Sequence, residues 1–137
     1  MVLALDVGER RIGVALASLI ARLPSAYTTI DQQSDRGAID QICDIVAKES
    51  ITELVVGLPR DMQGNDTAQT AHVRAFVRQL EPTLNIPITM QDEAVTSIQA
   101  EERLKSLGKP YSKADIDAEA AVIILQDYLQ ARERNTA

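Results

Sequence analysis

Along the first thirty positions, apolar residues alternate or run with the period of a strand. Residues 2–7 and 11–18 are apolar on either side of "GERR", which predicts a hairpin, and "AYTTI" at 26–30 predicts a third strand after a loop marked by Pro24. The period then changes: Ile39, Ile42, Cys43 and Val46 fall on one face of a predicted helix over 35–49. "ELVVG" at 53–57 is a short buried strand ended by "GLPRDMQGND", a loop rich in Gly, Pro and Asp. A helix over 67–81 follows, with Val73, Phe76, Val77 and Leu80 on its apolar face, and then a strand over 86–91, "IPITMQ". A helix from Ser97 to Leu107, stopped by Gly108 and Pro110, leads to a last helix over 113–130. The order is three strands, helix, strand, helix, strand, helix, helix. With no repeat or linker, it predicts one α/β domain over 1–137, a mixed central sheet with helices on its faces.

Acids in three distant segments break this pattern. Asp6 lies inside the apolar run "LALDVG", and a carboxylate held in a buried strand loses hydration worth several kcal/mol unless a cation, a ligand or turn amides compensate it. Pairing with Arg10 or Arg11 is the structural alternative to a ligand role. On the last helix, at about 100° per residue, Asp115, Glu119, Gln126 and Gln130 cluster on one side, whereas Asp117 falls on the opposite side with Ala121, Ile124 and Tyr128. Ser112 with Asp115 explains the first acid as a relative of the capping box; Asp117 has no such explanation. Asp92 and Glu93 are placed just beyond the carboxyl end of a strand, where sheet enzymes put ligand groups, although either could cap the following helix.

Composition narrows the chemistry. The 137 residues are 45% hydrophobic, enough for one core, and no apolar run approaches the ~20 residues of a membrane span. With no recognisable leader, a soluble cytoplasmic protein without membrane contact is expected. The single cysteine, Cys43, sits at a helical core position and the single histidine, His72, at the edge of a helix's apolar face, and neither receives any chemistry. A net charge of −6 argues against non-specific adhesion to phosphate, and 3% aromatic residues with no Trp argue against a base-stacking platform. A nuclease remains compatible, because clustered carboxylates add to the negative total while bound cations reverse its sign locally. If Asp6, Glu93 and Asp117 converge, they form an all-oxygen cluster suited to Mg²⁺ or Mn²⁺ and unsuited to Zn²⁺. Two such ions about 4 Å apart can bind a scissile phosphate and activate a water for in-line attack. The chain has no convincing nucleophilic Ser or Cys motif, no P-loop and no Rossmann glycine fingerprint.

The same segments carry a family resemblance. "LALDVGERRIGVAL", "VVGLPRDMQGND", "QDEAVTS" and "IDAEAAVIILQDYL" resemble, in order and over nearly the whole chain, the four signature blocks of the YqgF family, also called RuvX, of bacterial Holliday junction resolvases and pre-rRNA nucleases. The resemblance implies an RNase H-like fold, with the family's acids falling on Asp6, Glu93 and Asp117. It also implies hydrolysis of phosphodiester bonds in the leader of the small-subunit (16S) rRNA precursor or in branched DNA. Arg10 and Arg11 of "GERR", and Arg60 in "GLPRDMQG", are candidate contacts to the substrate backbone. Two positions depart from the pattern: Ala94 stands where the family usually has Arg, and Ala17, Ser18 and Leu19 stand where its hairpin often ends in "SD". Loss of that Arg removes a phosphate or structural contact and puts substrate affinity in question.

Several functions compete. Resolving a junction takes two symmetric cuts and therefore a homodimer, whereas trimming one RNA strand takes a single site. "DVGERRIGVAL" also resembles the phosphate hairpin of actin-like ATPases and sugar kinases, but those close two lobes over the nucleotide and 137 residues provide one. A non-catalytic nucleic-acid-binding assembly factor is the remaining alternative.

Overall fold

The computed structural model of the chain describes residues 1–31, 34–93 and 96–136, with only the backbone course of 96–98 and 134–136. Its elements are β1 (Val2–Val7), β2 (Arg11–Ala17), β3 (Ser25–Asp31), α1 (Asp35–Lys48), β4 (Glu53–Pro59), α2 (Ala68–Leu80), a 3-10 turn (Glu81–Thr83), β5 (Ile88–Glu93), α3 (Thr96–Ser106) and α4 (Lys113–Thr136). The five strands form one sheet in the order β3-β2-β1-β4-β5. β1, β2 and β3 pair antiparallel, as hairpin-linked strands do, and β4 joins β1 and β5 in parallel through the helical crossovers.

Strand alternation divides the core. Leu3, Leu5, Val7, Ile12, Val14, Leu54 and Val56 face α1 and α2, where they meet Ile39, Ile42, Val73, Phe76 and Val77. Val2, Ala4, Ala15, Ala17 and Val55 face α4 and pack on Ala121, Ile124, Leu125 and Leu129. The sheet thus has helices on both faces, as expected. The α4 face is built from small residues, so the helix lies close to the strands. A side chain on Gly13 would run into the backbone carbonyl of Asp117, and one on Gly57 into Ile124.

Local signals set the helix ends. Ser34 caps α1 by accepting from the Gly37 amide, and Thr67 and Thr70 form a reciprocal capping box at α2. At α4 the Ser112 amide donates to Asp115 and the Asp115 amide to Ser112 Oγ, which is the capping role read for Asp115. The polar side of α4 is covered: Arg103 of α3 pairs with Glu119 at 3.1 Å and donates to Gln126 at 2.9 Å.

Three elements differ from the sequence reading by two residues or more. β5 begins two residues late, at Ile88, because Pro87 has no N–H and enters only as an acceptor, taking the Leu54 amide. The strand therefore contains Asp92 and Glu93 instead of ending before them. β4 continues to Pro59, opposite Glu93. α4 runs on to Thr136, past the predicted end at 130. Its added turn carries Arg132, whose Nη1 donates to both oxygens of Glu53 at 2.7 and 2.8 Å. Among the described residues no helix is long and apolar enough to cross a membrane.

Candidate active site

The carboxylates are sorted by strand parity. In β1 the side chains of Val2, Ala4 and Asp6 share the α4 face, and Asp6 is paired across β2 with Gly13, the residue on which the Asp117 backbone rests. In β5 the register Pro59↔Glu93 puts Glu93 on the same face as Val55 and Gly57. Asp92, one residue earlier, points to the other face, where Arg60 Nε pairs with it at 3.1 Å. Parity thus answers which acid of the "DE" pair looks toward α4. It is Glu93.

Asp117 lies half-buried on the sheet-facing side of α4, as its position on the apolar stripe predicts, and Arg11 Nε meets its Oδ2 at 2.5 Å. Asp6 receives no comparable cation among the described residues. Burial, and then the nearby Asp117 carboxylate, push its pKa from 3.8 to about 6. Glu93 is more extreme: burial, a hydrogen bond shared with Asp127, and the charges of Asp127, Asp6 and Asp92 push it from 4.5 to about 9. Its Oε1 is buried with no hydrogen-bond partner. An unpaired buried carboxylate oxygen is costly, and a divalent cation is the kind of ligand that removes the cost.

Asp127 was missed in the sequence. It lies three residues beyond Ile124 and ten beyond Asp117, on the flank of the inward stripe, and that spacing was the available signal. The acids form an arc in which Asp117 acts on Asp6, Asp6 on Glu93, and Asp127 on Glu93. Asp117 and Asp127 are about 15 Å apart along the helix axis, so the arc is long. As placed, no three of the described acids close into a group that could hold a metal ion. The donor set itself, carboxylate oxygens only, fits Mg²⁺ or Mn²⁺.

Two open depressions flank the arc. One, of about 320 Å³, is lined by Gly8, Glu9, Arg10, Arg11 and Asp117, and places exposed Arg10 and half-buried Arg11 beside the acid. The other, of about 390 Å³, includes Arg60, Asp61, Asp92 and Glu93. Arg60 is committed there: it pairs with Asp66 at 2.7 Å and with Asp92, and reaches the Gly64 carbonyl at 3.4 Å. Those bonds brace the "GLPRDMQGND" loop against β5. Ala94, in the position where the family usually has Arg, lies outside the described residues.

The mixed five-stranded sheet with helices on both faces and an acid near the end of the first strand is an RNase H-like fold. The solved structure titled "T. thermophilus RuvC in complex with Holliday junction substrate" matches with a TM-score of 0.59 at 15% identity, covering 96% of this chain and 95% of that one. The yeast mitochondrial Holliday junction resolvase Ydc2 also matches at 0.59, with 11% identity over 98% of this chain and 80% of its own.

The chain belongs to the RuvX family: the family model "RuvX: Holliday junction resolvase" matches residues 1–131. Proteins named "Putative pre-16S rRNA nuclease" from Chloroflexus aggregans and a Roseiflexus species are 48% and 44% identical to it over 133 residues, each alignment covering 96% of this chain and 94% of the relative. The family is one of hydrolases acting on nucleic acid.

Proposed function

We propose that this chain is a divalent-cation-dependent nuclease that cleaves phosphodiester bonds in the leader of pre-16S rRNA, with Asp6, Glu93 and Asp117 as the acids at the reacting centre. The observation that carries this reading is the face of the sheet itself. Two acids from remote strands, Asp6 and Glu93, are turned toward the helix that carries Asp117, and neither is paired with a protein cation among the described residues. Keeping such groups costs stability, which is the usual mark of a functional site.

Asp6, central in the arc, and Glu93 and Asp117 on either side of it would hold the cation. When bound, Mg²⁺ or Mn²⁺ supplies a polarised water and a counter-charge for the phosphate. The remaining work falls to the protein. Glu93 and Asp6 point away from the apolar α1/α2 core, and Glu93 lines the depression that also holds Arg60 and Asp92. Arg10 and Arg11 supply the local positive charge that a chain of net charge −6 needs in order to meet a phosphate backbone.

The description of the family favours a second reading, a Holliday junction resolvase, which would act as a homodimer. Cleavage of labelled pre-16S leader RNA and of a four-way DNA junction, side by side with Mn²⁺, Mg²⁺ or chelator, separates the two. The expected result is cation-dependent cutting of the RNA, reduced at least about a hundredfold in Asp117→Asn. Preferential cutting of the junction by a dimer would install the second reading. No cutting of either substrate would leave the fold as a binding factor in ribosome assembly.

A further inference from the structure

Arg11 is the first residue of β2, and the Gly8 amide bonded to its carbonyl at 2.9 Å closes the turn before it. Its backbone is therefore fixed while its long side chain extends into the depression beside Asp117. The guanidinium is shared between two acids. It bonds Asp117 directly, and it also feels the charge of Asp31, its neighbour across β3 in the register Arg11↔Asp31. Asp31 is exposed at the end of its strand.

We propose that in the cation-free protein Arg11 occupies the place of a divalent cation at Asp117, and that cation binding moves its side chain to Asp31. This rests on the metal-dependent reading above. The arrangement accounts for two otherwise separate facts. Among the described residues Asp117 is the one acid of the arc with a protein cation bonded to it, and no three of the acids, as placed, close into a group that could hold an ion. The guanidinium holds Oδ2 of Asp117, and its positive charge beside the carboxylate opposes a second cation there, so the two cations compete.

The exchange has a consequence for substrate. Once released from Asp117, the guanidinium pairs with exposed Asp31, and the bound cation adds its own charge beside the depression that Arg10 lines. A phosphate arriving there meets more positive charge when the cation is bound than when it is absent. Cation and phosphate therefore strengthen each other's binding, and a cation-free protein is kept from engaging nucleic acid at this end of the site.

The test is calorimetric titration of the full chain, stripped with chelator, with MnCl₂ alone. Arg11→Gln should bind Mn²⁺ about five- to tenfold more tightly than the wild type, because the competitor is gone. Arg11→Lys, which keeps the charge, should stay within about twofold, and Asp31→Asn, which removes the alternative partner, should bind about two- to threefold more weakly. Arg11→Met, with its aliphatic stem preserved, gives the same reading if the amide variant does not fold. Equal or weaker binding by the Arg11→Gln and Arg11→Met proteins overturns the exchange. The metal-dependent reading fails separately, and takes the exchange with it, if Asp117→Asn binds Mn²⁺ as the wild type does.

Discussion

Two glutamates meet α4 at opposite ends of the parallel strand pair, and the helix treats them differently. Glu53 opens β4 and is fully answered: the Tyr128 hydroxyl donates to its Oε1 at 2.5 Å, and Arg132 donates to both its oxygens. Glu93 closes β5 and faces Asp127, the residue immediately before Tyr128, with its own Oε1 buried and unpartnered. Consecutive residues of one helix thus compensate one buried carboxylate and aggravate another. The chain is able to neutralise such a group and does so where only stability is at stake. At the carboxyl end of the strands no protein cation does so among the described residues, and in the proposed function a cation from outside would supply that partner.

Breaking the answered end should produce the larger effect. Glu53→Ala leaves Tyr128 and Arg132 without their acceptor, and the melting temperature should fall on the order of 5 °C with little change in Mn²⁺ affinity, as calorimetric melting and titration would report. A smaller change of opposite sign is expected at the other end. Glu93→Gln should raise the melting temperature of the cation-free protein at pH 8 by about 3 °C, since it removes a carboxylate the fold does not compensate.

The pH dependence follows the same logic. Glu93 binds its proton more tightly in the folded chain, about 9 against 4.5, so its contribution to stability is complete below pH 4.5 and is lost as pH rises toward 9. Asp6 behaves likewise between 3.8 and about 6. Over pH 6 to 9 the downward slope therefore belongs to Glu93, which is faced by Asp127 and Asp6 and feels the charge of Asp92 as well. Thermal melts without cation should fall across that range in the wild type and run flatter in Glu93→Gln.

Much of this was legible in the sequence, for physical reasons that differ by residue. The hairpin and the inward position of Asp117 follow from periods of two and 3.6, which sequence displays directly. The choice between Asp92 and Glu93 depends on the register of β5 against β4, which sequence does not display, and the two-residue shift of β5 placed both acids inside the strand. The partner of Arg11 was beyond reach. Pairing with Asp6 was the local alternative, whereas the acid it bonds, Asp117, is 106 residues away and reaches it only because Gly13 lets α4 settle on β2. Asp127 escaped notice because it sits on the flank of the stripe, where a polar residue looks ordinary.

The claim that the unanswered end of the sheet is a cation site is tested most directly by the rise in melting temperature that Mn²⁺ causes at pH 8 in wild type, Glu93→Gln and Glu53→Gln. A rise in wild type and in Glu53→Gln that is lost or sharply reduced in Glu93→Gln is the predicted result. An equal rise in all three proteins, or none in the wild type, would contradict it.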